Sequence, residues 1–306
     1  MKAIASLIHR EYLEHRGAFL FAPAILLGLF TLTIASALAV NKLSVPINVD
    51  MTSALRFYEF GFIIVSGLWM AYLSVALFFY YADAFSADRR NNSMLFWKSM
   101  PQSDFKILGS KMLAGMTLLP ALIFGMLILT GIVLYAMTGL AVIALPNLVV
   151  PGIGEFVSAT AQLGLFALIY LALALLWFAP FFGWVGMLST VVGRWSIPLA
   201  FLIPGLAIVA ENIFVRGVGG IIGDMFAAGG RPSGGFIAGY LAERSHFGFT
   251  DSDWQALFLS DNPLNVADLI QRLLAAVDWA QMAGGLAVAA LFVFAASEYR
   301  RRVVVA

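Results

Sequence analysis

The chain has no cysteine. That excludes disulfides, thiolate metal sites and cysteine nucleophiles, and it leaves the redox compartment open. Charge is scarce too: 11% of the 306 residues are Asp, Glu, Lys or Arg, against 61% hydrophobic. A soluble domain carries about 25% charged residues. So few charges cannot clothe a water-facing surface of this size, and lipid must be the main solvent. Histidine occurs only at His9, His15 and His246, far from the apolar runs, which argues against a histidine-rich metal site within the membrane. Catalytic signatures are missing as well. The leader reads HREYLEH, with its histidines six apart rather than at the spacing of a His-Glu-x-x-His zinc helix. There is no Gly-x-Ser-x-Gly elbow. There is no Gly-x-x-x-x-Gly-Lys-Ser/Thr phosphate loop, so ATP is not hydrolysed here by that route. The chain reads as a non-enzyme with no catalytic residues, no metal and no cofactor of its own.

What is present is apolar and helical. A helix needs roughly 20 residues to cross a bilayer. Six segments meet that length: about Ala18–Val40, Phe60–Ala82, Met112–Thr138, Ala159–Ser189, Ser196–Val215 and Trp279–Ser297. In lipid, backbone polar groups need internal partners, so these are helices. The fold class expected is an all-α membrane protein, one domain over residues 1–306, with six spans. The fourth segment is too long for a simple crossing, and Pro180 inside it predicts a kink or a strong tilt. Pro23, Pro120, Pro198 and Pro204 also fall in or at the ends of spans.

Orientation follows from the basic residues. With the N-terminus inside, inner segments hold 12 of the 18 Lys and Arg residues and outer segments 6. Inner acids number 6 and outer acids 11, so the inner face is +6 and the outer face −5. Both termini are then cytoplasmic, and the protein belongs in the inner or plasma membrane as a multi-pass chain. Residues 1–17 place Ile4, Leu7, Ile8 and Tyr12 on one helical face, an amphipathic helix lying on the inner surface. A signal peptide is the competing reading, since Ala37-Leu38-Ala39 resembles a cleavage site. The apolar run is too long for it and the charged leader too extended.

Outside, Arg216–Asp278 is the largest loop. It opens with a glycine-rich tract, Gly217 to Gly239, that suits a flexible linker or a lid. Two short helices follow before the sixth span. One is capped by Asp251 or Asp253 ahead of Trp254–Leu259. The other starts near Asn265 and runs amphipathically through Val266, Leu269, Ile270, Leu273 and Leu274. No fixed-period repeat is visible, which weakens a secondary-transporter reading built on inverted repeats.

Between the second and third spans lies Asp88 to Lys111, reading DRRNNSMLFWKSMPQSDFKILGSK. A loop that only joins helices needs a handful of residues. This one carries its own short apolar helix, Met94 to Trp97, and a stop at Pro101. A structured basic loop on the cytoplasmic face suggests docking of a soluble partner. Phe96 and Trp97 suit a partner's groove, and Arg89, Arg90 and Lys98 suit acidic partner groups. From the residues alone, Phe96 and Trp97 equally suit the headgroup layer, with the basic residues on anionic lipid. Asn91-Asn92-Ser93 matches a glycosylation acceptor, but its cytoplasmic side removes it.

This loop resembles that of type-2 ABC exporter permeases, membrane subunits that pair with a separate ATPase. The resemblance rests on Asp88-Arg89-Arg90, Ser93 to Ser99, Pro101, Ser103-Asp104 and Lys111-Met112. It extends to the layout: an amphipathic leader, six spans, a second cytoplasmic turn at Gly193-Arg194-Trp195, and outer helices before the sixth span. Where that family has Gly-Thr or Gly-Ser and then Leu-Glu, this chain has Asn92-Ser93 and then Met94-Leu95-Phe96. The resemblance implies a coupling helix formed by Arg89, Arg90, Ser93, Met94, Leu95, Phe96, Trp97 and Lys98, with Arg194 at the second contact. It implies ABC ATPase subunits as partners, ATP and Mg bound by them, a second permease copy or homologue, and membrane lipid, with no nucleic acid. It implies outward movement of an amphipathic substrate: a lipid-like molecule, drug or peptide.

Polar residues near the outer span ends, Glu211, Asn212, Gln162 and Glu59, are the candidates for lining a pathway. Glu211 equally suits the outer interface or a pair with Arg216. Trp69, Trp177, Trp184 and the phenylalanines suit a greasy cavity or ordinary packing. Gly284, Gly285, Ala289, Ala290, Ala295 and Ala296 allow close helix approach, within the chain or between subunits. Two other functions compete. An ion-coupled secondary transporter would need Glu211 as its coupling acid. A membrane scaffold or enzyme would use residues 216–278 as its binding surface.

Overall fold

The structure, a computed structural model, describes residues 2–39, 54–90, 103–144, 152–226, 235–248 and 265–303. Among these residues every element is helical: α1 Lys2–Arg16, α2 Ala22–Ala39, α3 Ala54–Arg90, α4 Asp104–Met116, α5 Leu118–Ala144, α6 Ile153–Val192, α7 Ser196–Phe226, α8 Phe236–Ser245, α9 Val266–Ala276 and α10 Trp279–Val303. Five helical stretches are long and apolar enough to cross a membrane: Ser6–Ala37, Tyr58–Ala87, Asp104–Leu140, Ile153–Phe214 and Trp279–Arg302. They expose bulky apolar side chains that water would penalise, such as Leu32 (71% exposed) and Phe214 (90%). These five stretches fit a multi-pass membrane protein.

Local chemistry sets the helix ends. Asn265 caps α9, its side chain accepting the Asp268 N–H at 3.3 Å, at the start expected from sequence. Asp278 does the same for α10 through the Gln281 N–H at 2.9 Å. α6 ends at Gly193, whose φ of +58° suits a residue without a Cβ. A single tight turn, Gly193–Trp195, leads into α7. Trp184 and Ala200 flank that turn and are hydrogen-bonded to each other. A straight helix would hold residues 16 apart at about 24 Å, so the chain doubles back at the turn.

A π-helical turn, Gly17–Phe21, joins the leader α1 to α2. One element differs from the sequence expectation. The glycine-rich tract is not a linker at its beginning. α7 continues to Phe226, because Val215, Val218, Ile221 and Ile222 keep that stretch apolar, where glycine is tolerated. The expected helix at Trp254–Leu259 and the centre of the glycine tract lie outside the described residues.

The residues group into two compact units. The first comprises Met1–Leu77, Leu113–Leu175 and Gly248–Val277. Here α2 lies against α5, and few polar bonds pin the helices. The Trp69 indole donates to Thr130 Oγ1 at 3.0 Å, and the Tyr58 hydroxyl lies 2.7 Å from Thr160 Oγ1. The rings of Tyr135 and Phe156 stack at 4.0 Å. The second comprises Phe78–Met112, Leu176–Phe247 and Asp278–Ala306. Its α10 buries Met282, Gly285, Ala289, Val293, Ala296 and Arg300, one stripe at helical spacing. Gly183 of α6 meets that stripe; a Cβ there would lie 3.2 Å from the Ala289 Cα. Gly285, Ala289 and Ala296 therefore serve packing within the chain, and Gly284, Ala290 and Ala295 face outward.

In the first unit Gly131 approaches α3 closely. A Cβ there would lie 2.8 Å from the Phe62 ring and 3.2 Å from the Tyr58 hydroxyl. Gly131→Ala should cost about 1–3 kcal/mol by overpacking. Thermal unfolding in detergent checks this: the midpoint should fall, whereas Gly67→Ala, whose Cβ meets nothing within 4 Å, should leave it unchanged.

Candidate functional site

Three arrangements in the second unit carry chemistry. The first is the stem of the long loop. Segment 91–102 lies outside the described residues, and with it Ser93, Met94, Leu95, Phe96, Trp97 and Lys98. Arg89 and Arg90 form the last turn of α3; their side chains are likewise outside the description. The helices that flank the loop are described, and they are bolted together. The buried Tyr80 hydroxyl donates to the Lys111 carbonyl at 3.0 Å, and the buried Tyr81 hydroxyl to the Met112 carbonyl at 2.9 Å. Asp104, at the start of α4, pairs at 3.0 Å with Arg300 of α10, which is 2% exposed. Ser196, opening α7, donates to the Ala82 carbonyl at 3.3 Å. Arg194 is exposed on the turn just before it.

The second arrangement is a clamp on α8. At its N-terminus, Glu211 of α7 accepts the Phe236 N–H at 2.5 Å and the Ile237 N–H at 2.9 Å, one on each carboxylate oxygen. Gly235, the residue before the helix, offers no side-chain cap, so a carboxylate from another helix does that work and also meets the positive end of the dipole. At the C-terminal end, Arg244 is fully buried. Its guanidinium lies 4.3 Å from the centre of a Trp177 ring. It donates from Nη1 to the Trp177 carbonyl at 3.0 Å, from Nη2 to the Gln281 carbonyl at 2.5 Å and from Nε to the Tyr240 hydroxyl at 3.4 Å. The Trp177 indole returns a bond to the Arg244 carbonyl at 3.0 Å. A charge removed from water needs such a set of acceptors. Glu243 adds a bond from the Gln281 side chain at 2.9 Å.

The third is a cleft of about 740 Å³ walled by parts of α3, α6, α7, α8 and α10. Seven of its lining residues are aromatic: Phe78, Phe181, Trp184, Phe201, Phe236, Tyr240 and Phe292. Pro180 and Pro204 also face it. Pro204 has no N–H for the carbonyl four residues back, at Ala200. The Trp184 indole donates to that carbonyl at 3.3 Å.

The four candidates for a pathway are divided between the two units. Glu211 is engaged with α8, and Asn212 beside it donates to the Ile208 carbonyl of its own helix at 2.9 Å. Glu59 and Gln162 belong to the first unit. Glu59 is buried and pairs with Arg56 at 3.6 Å. Gln162 is exposed and donates to Ser158 Oγ at 3.1 Å. The alternative partner for Glu211, the Arg216 side chain, lies outside the described residues. Arg244 and the Tyr80–Tyr81 pair escape a reading by sequence. Their signals are present but weak: two adjacent tyrosines in an apolar run need partners for their hydroxyls, and Tyr240 and Arg244 stand one helical turn apart.

No protein-family model, curated protein or solved structure matches this chain.

The clamp makes a specific demand on Gly285. A Cβ there would lie 1.7 Å from Arg244 Nη2. Gly285→Ala should therefore expel the guanidinium and free α8, at a cost of several kcal/mol for the stranded charge. Arg244→Lys should behave alike, because one ammonium cannot span the same acceptors. Limited proteolysis at residues 236–245 checks both: rapid cleavage in either variant is expected, with wild-type resistance retained in Gly284→Ala.

Proposed function

We propose that this chain is the membrane-spanning permease subunit of a type-2 ABC exporter. It couples an ATPase carried by partner chains to the outward movement of an amphipathic substrate. The observation that carries this reading is the stem of the loop. A push on segment 91–102 would reach both α3 and α4 together, because Tyr80 and Tyr81 tie the two backbones below it. Asp104 and Arg300 would pass the same push to α10, and Ser196 to α7. A loop that merely joined two spans would need no such bracing.

Six crossings follow from the same reading. The stretch Ile153–Phe214 has 62 residues, about three times the roughly 20 needed for one crossing, and it doubles back at Gly193. Divided there, it supplies two spans. Arg194 then emerges on the side of the long loop, where the basic residues concentrate. α1 lies along the inner surface, α8 and α9 stand toward the outer side, and both termini are cytoplasmic. ATP and Mg belong to the partner ATPases, and a second permease copy or homologue completes the assembly.

An ion-coupled transporter needs a carboxylate able to exchange its ion. Both oxygens of Glu211 are committed to backbone N–H groups of α8, which suits an anchor better than a coupling acid.

A tagged chain purified from its native host should bring down a stoichiometric ATPase, identified by mass spectrometry. Phe96→Ala with Trp97→Ala should abolish that association. Tyr80→Phe with Tyr81→Phe, losing about 1 kcal/mol per bond, should keep the ATPase bound but weaken substrate-stimulated hydrolysis. A chain that purifies without an ATPase under mild detergent would overturn the exporter reading.

A further inference from the structure

We infer that the aromatic cleft of the second unit is a binding site for a hydrocarbon chain, the acyl chain of an amphiphile drawn from the bilayer. Its size, about 740 Å³, falls in the range of sites that enclose small ligands. Its polar side chains are few, and those of Trp184, Tyr240 and Ser245 each make a bond within the chain. The Trp184 indole is bound to the Ala200 carbonyl. The Tyr240 hydroxyl accepts from Arg244, and Ser245 donates to the Ala242 carbonyl at 2.7 Å. The first backbone N–H groups of α8 are taken by Glu211. Among the described residues no charged side chain lines the cleft to orient a carboxylate, amine or phosphate. An apolar cavity with no polar partners does not hold water. Four of its five walls are helices from stretches long enough to cross a membrane, so the solvent that reaches it there is hydrocarbon.

The fifth wall, α8, is held in place by the clamp. Phe236 and Ile237 stand at its Glu211 end and Ser245 beside Arg244, and all three line the cleft. The cleft thus has a polar lock at each end and an apolar middle. An amphiphile would lay its chain in the middle and leave its headgroup outside. This inference deepens the exporter reading by giving its substrate class, and it rests on that reading only for the word substrate; chain binding needs no ATPase.

The test uses the full chain in lipid nanodiscs, without any ATPase, with two probes. One is a phospholipid carrying a photoactivatable diazirine in its acyl chain, and the other is a free fatty acid carrying the same group. Adducts are mapped by mass spectrometry. Gly205 lines the cleft, and a Cβ there meets nothing within 4 Å, so Gly205→Phe fills the space without a local clash. Adducts should form on the half-buried Trp184, Ile208 and Phe292 and be lost in Gly205→Phe. Adducts on Leu32 and Phe214, which face bulk lipid, should persist in that variant. Val288→Phe fills the cleft from α10 and replaces Gly205→Phe if that variant fails to fold. Labelling by the phospholipid identifies a bilayer lipid as the source; labelling by the fatty acid alone identifies a free amphiphile. No adducts on the lining residues with either probe, or adducts that survive both fillings, would overturn the inference. Neither result bears on whether an ATPase binds segment 91–102.

Discussion

A backbone carbonyl released from its helix ladder has no water to turn to inside a bilayer. That constraint shapes every feature of this chain that carries chemistry. Pro204 deprives Ala200 of its partner, and Trp184 supplies one from the other side of the Gly193 turn. Pro23 has a parallel effect at the π-helical turn. There the Ala22 N–H bonds back to Gly17, leaving the Ala18 carbonyl opposite a proline with no N–H, and the Tyr72 hydroxyl donates to it. The few polar side chains in and beside these spans are largely spent on backbone. Tyr80, Tyr81, Trp177 and Arg244 all bond to main-chain carbonyls.

The same constraint explains how α8, only 10 residues long, holds its place. A short helix is marginal on its own, and its ends bring unsatisfied groups into an apolar setting. Glu211 answers the exposed N–H groups and Arg244 the opposite end. The fixed helix then becomes a wall, and the space it encloses is the aromatic cleft. Gly285 is the small residue that makes room for the guanidinium, so the stripe of small residues on α10 serves the clamp as well as helix packing.

Much of this was legible in the sequence. Low charge and long apolar runs identified the solvent and the helical class. Asn265 marked a helix start, Gly193 a reversal, and the glycine and alanine stripe a close approach. What stayed hidden depends on contacts between residues far apart in the chain. Nothing local distinguishes Glu211 as a cap from Glu211 as a pathway acid; the distinction is made by two N–H groups about 25 residues away. Arg244 counted only as one outer base, because the acceptors that bury it come from α6 and α10. The glycine-rich tract misled in the opposite way, since glycine signals a linker in water and is an acceptable helix residue among apolar neighbours.

If lipid is the solvent and the chain crosses it six times, residues 98 and 194 lie on one face. The absence of cysteine makes this directly measurable. Single cysteines placed as Lys98→Cys, Arg194→Cys, Arg231→Cys and Arg272→Cys are treated with a membrane-impermeant maleimide, before and after permeabilisation of the cells. Cysteines at 231 and 272 should react in intact cells, and those at 98 and 194 only once the membrane is opened. Positions 98 and 194 reacting from opposite sides would mean that Gly193 does not return the chain to the face of the long loop, and both the six-span threading and the coupling role would be wrong.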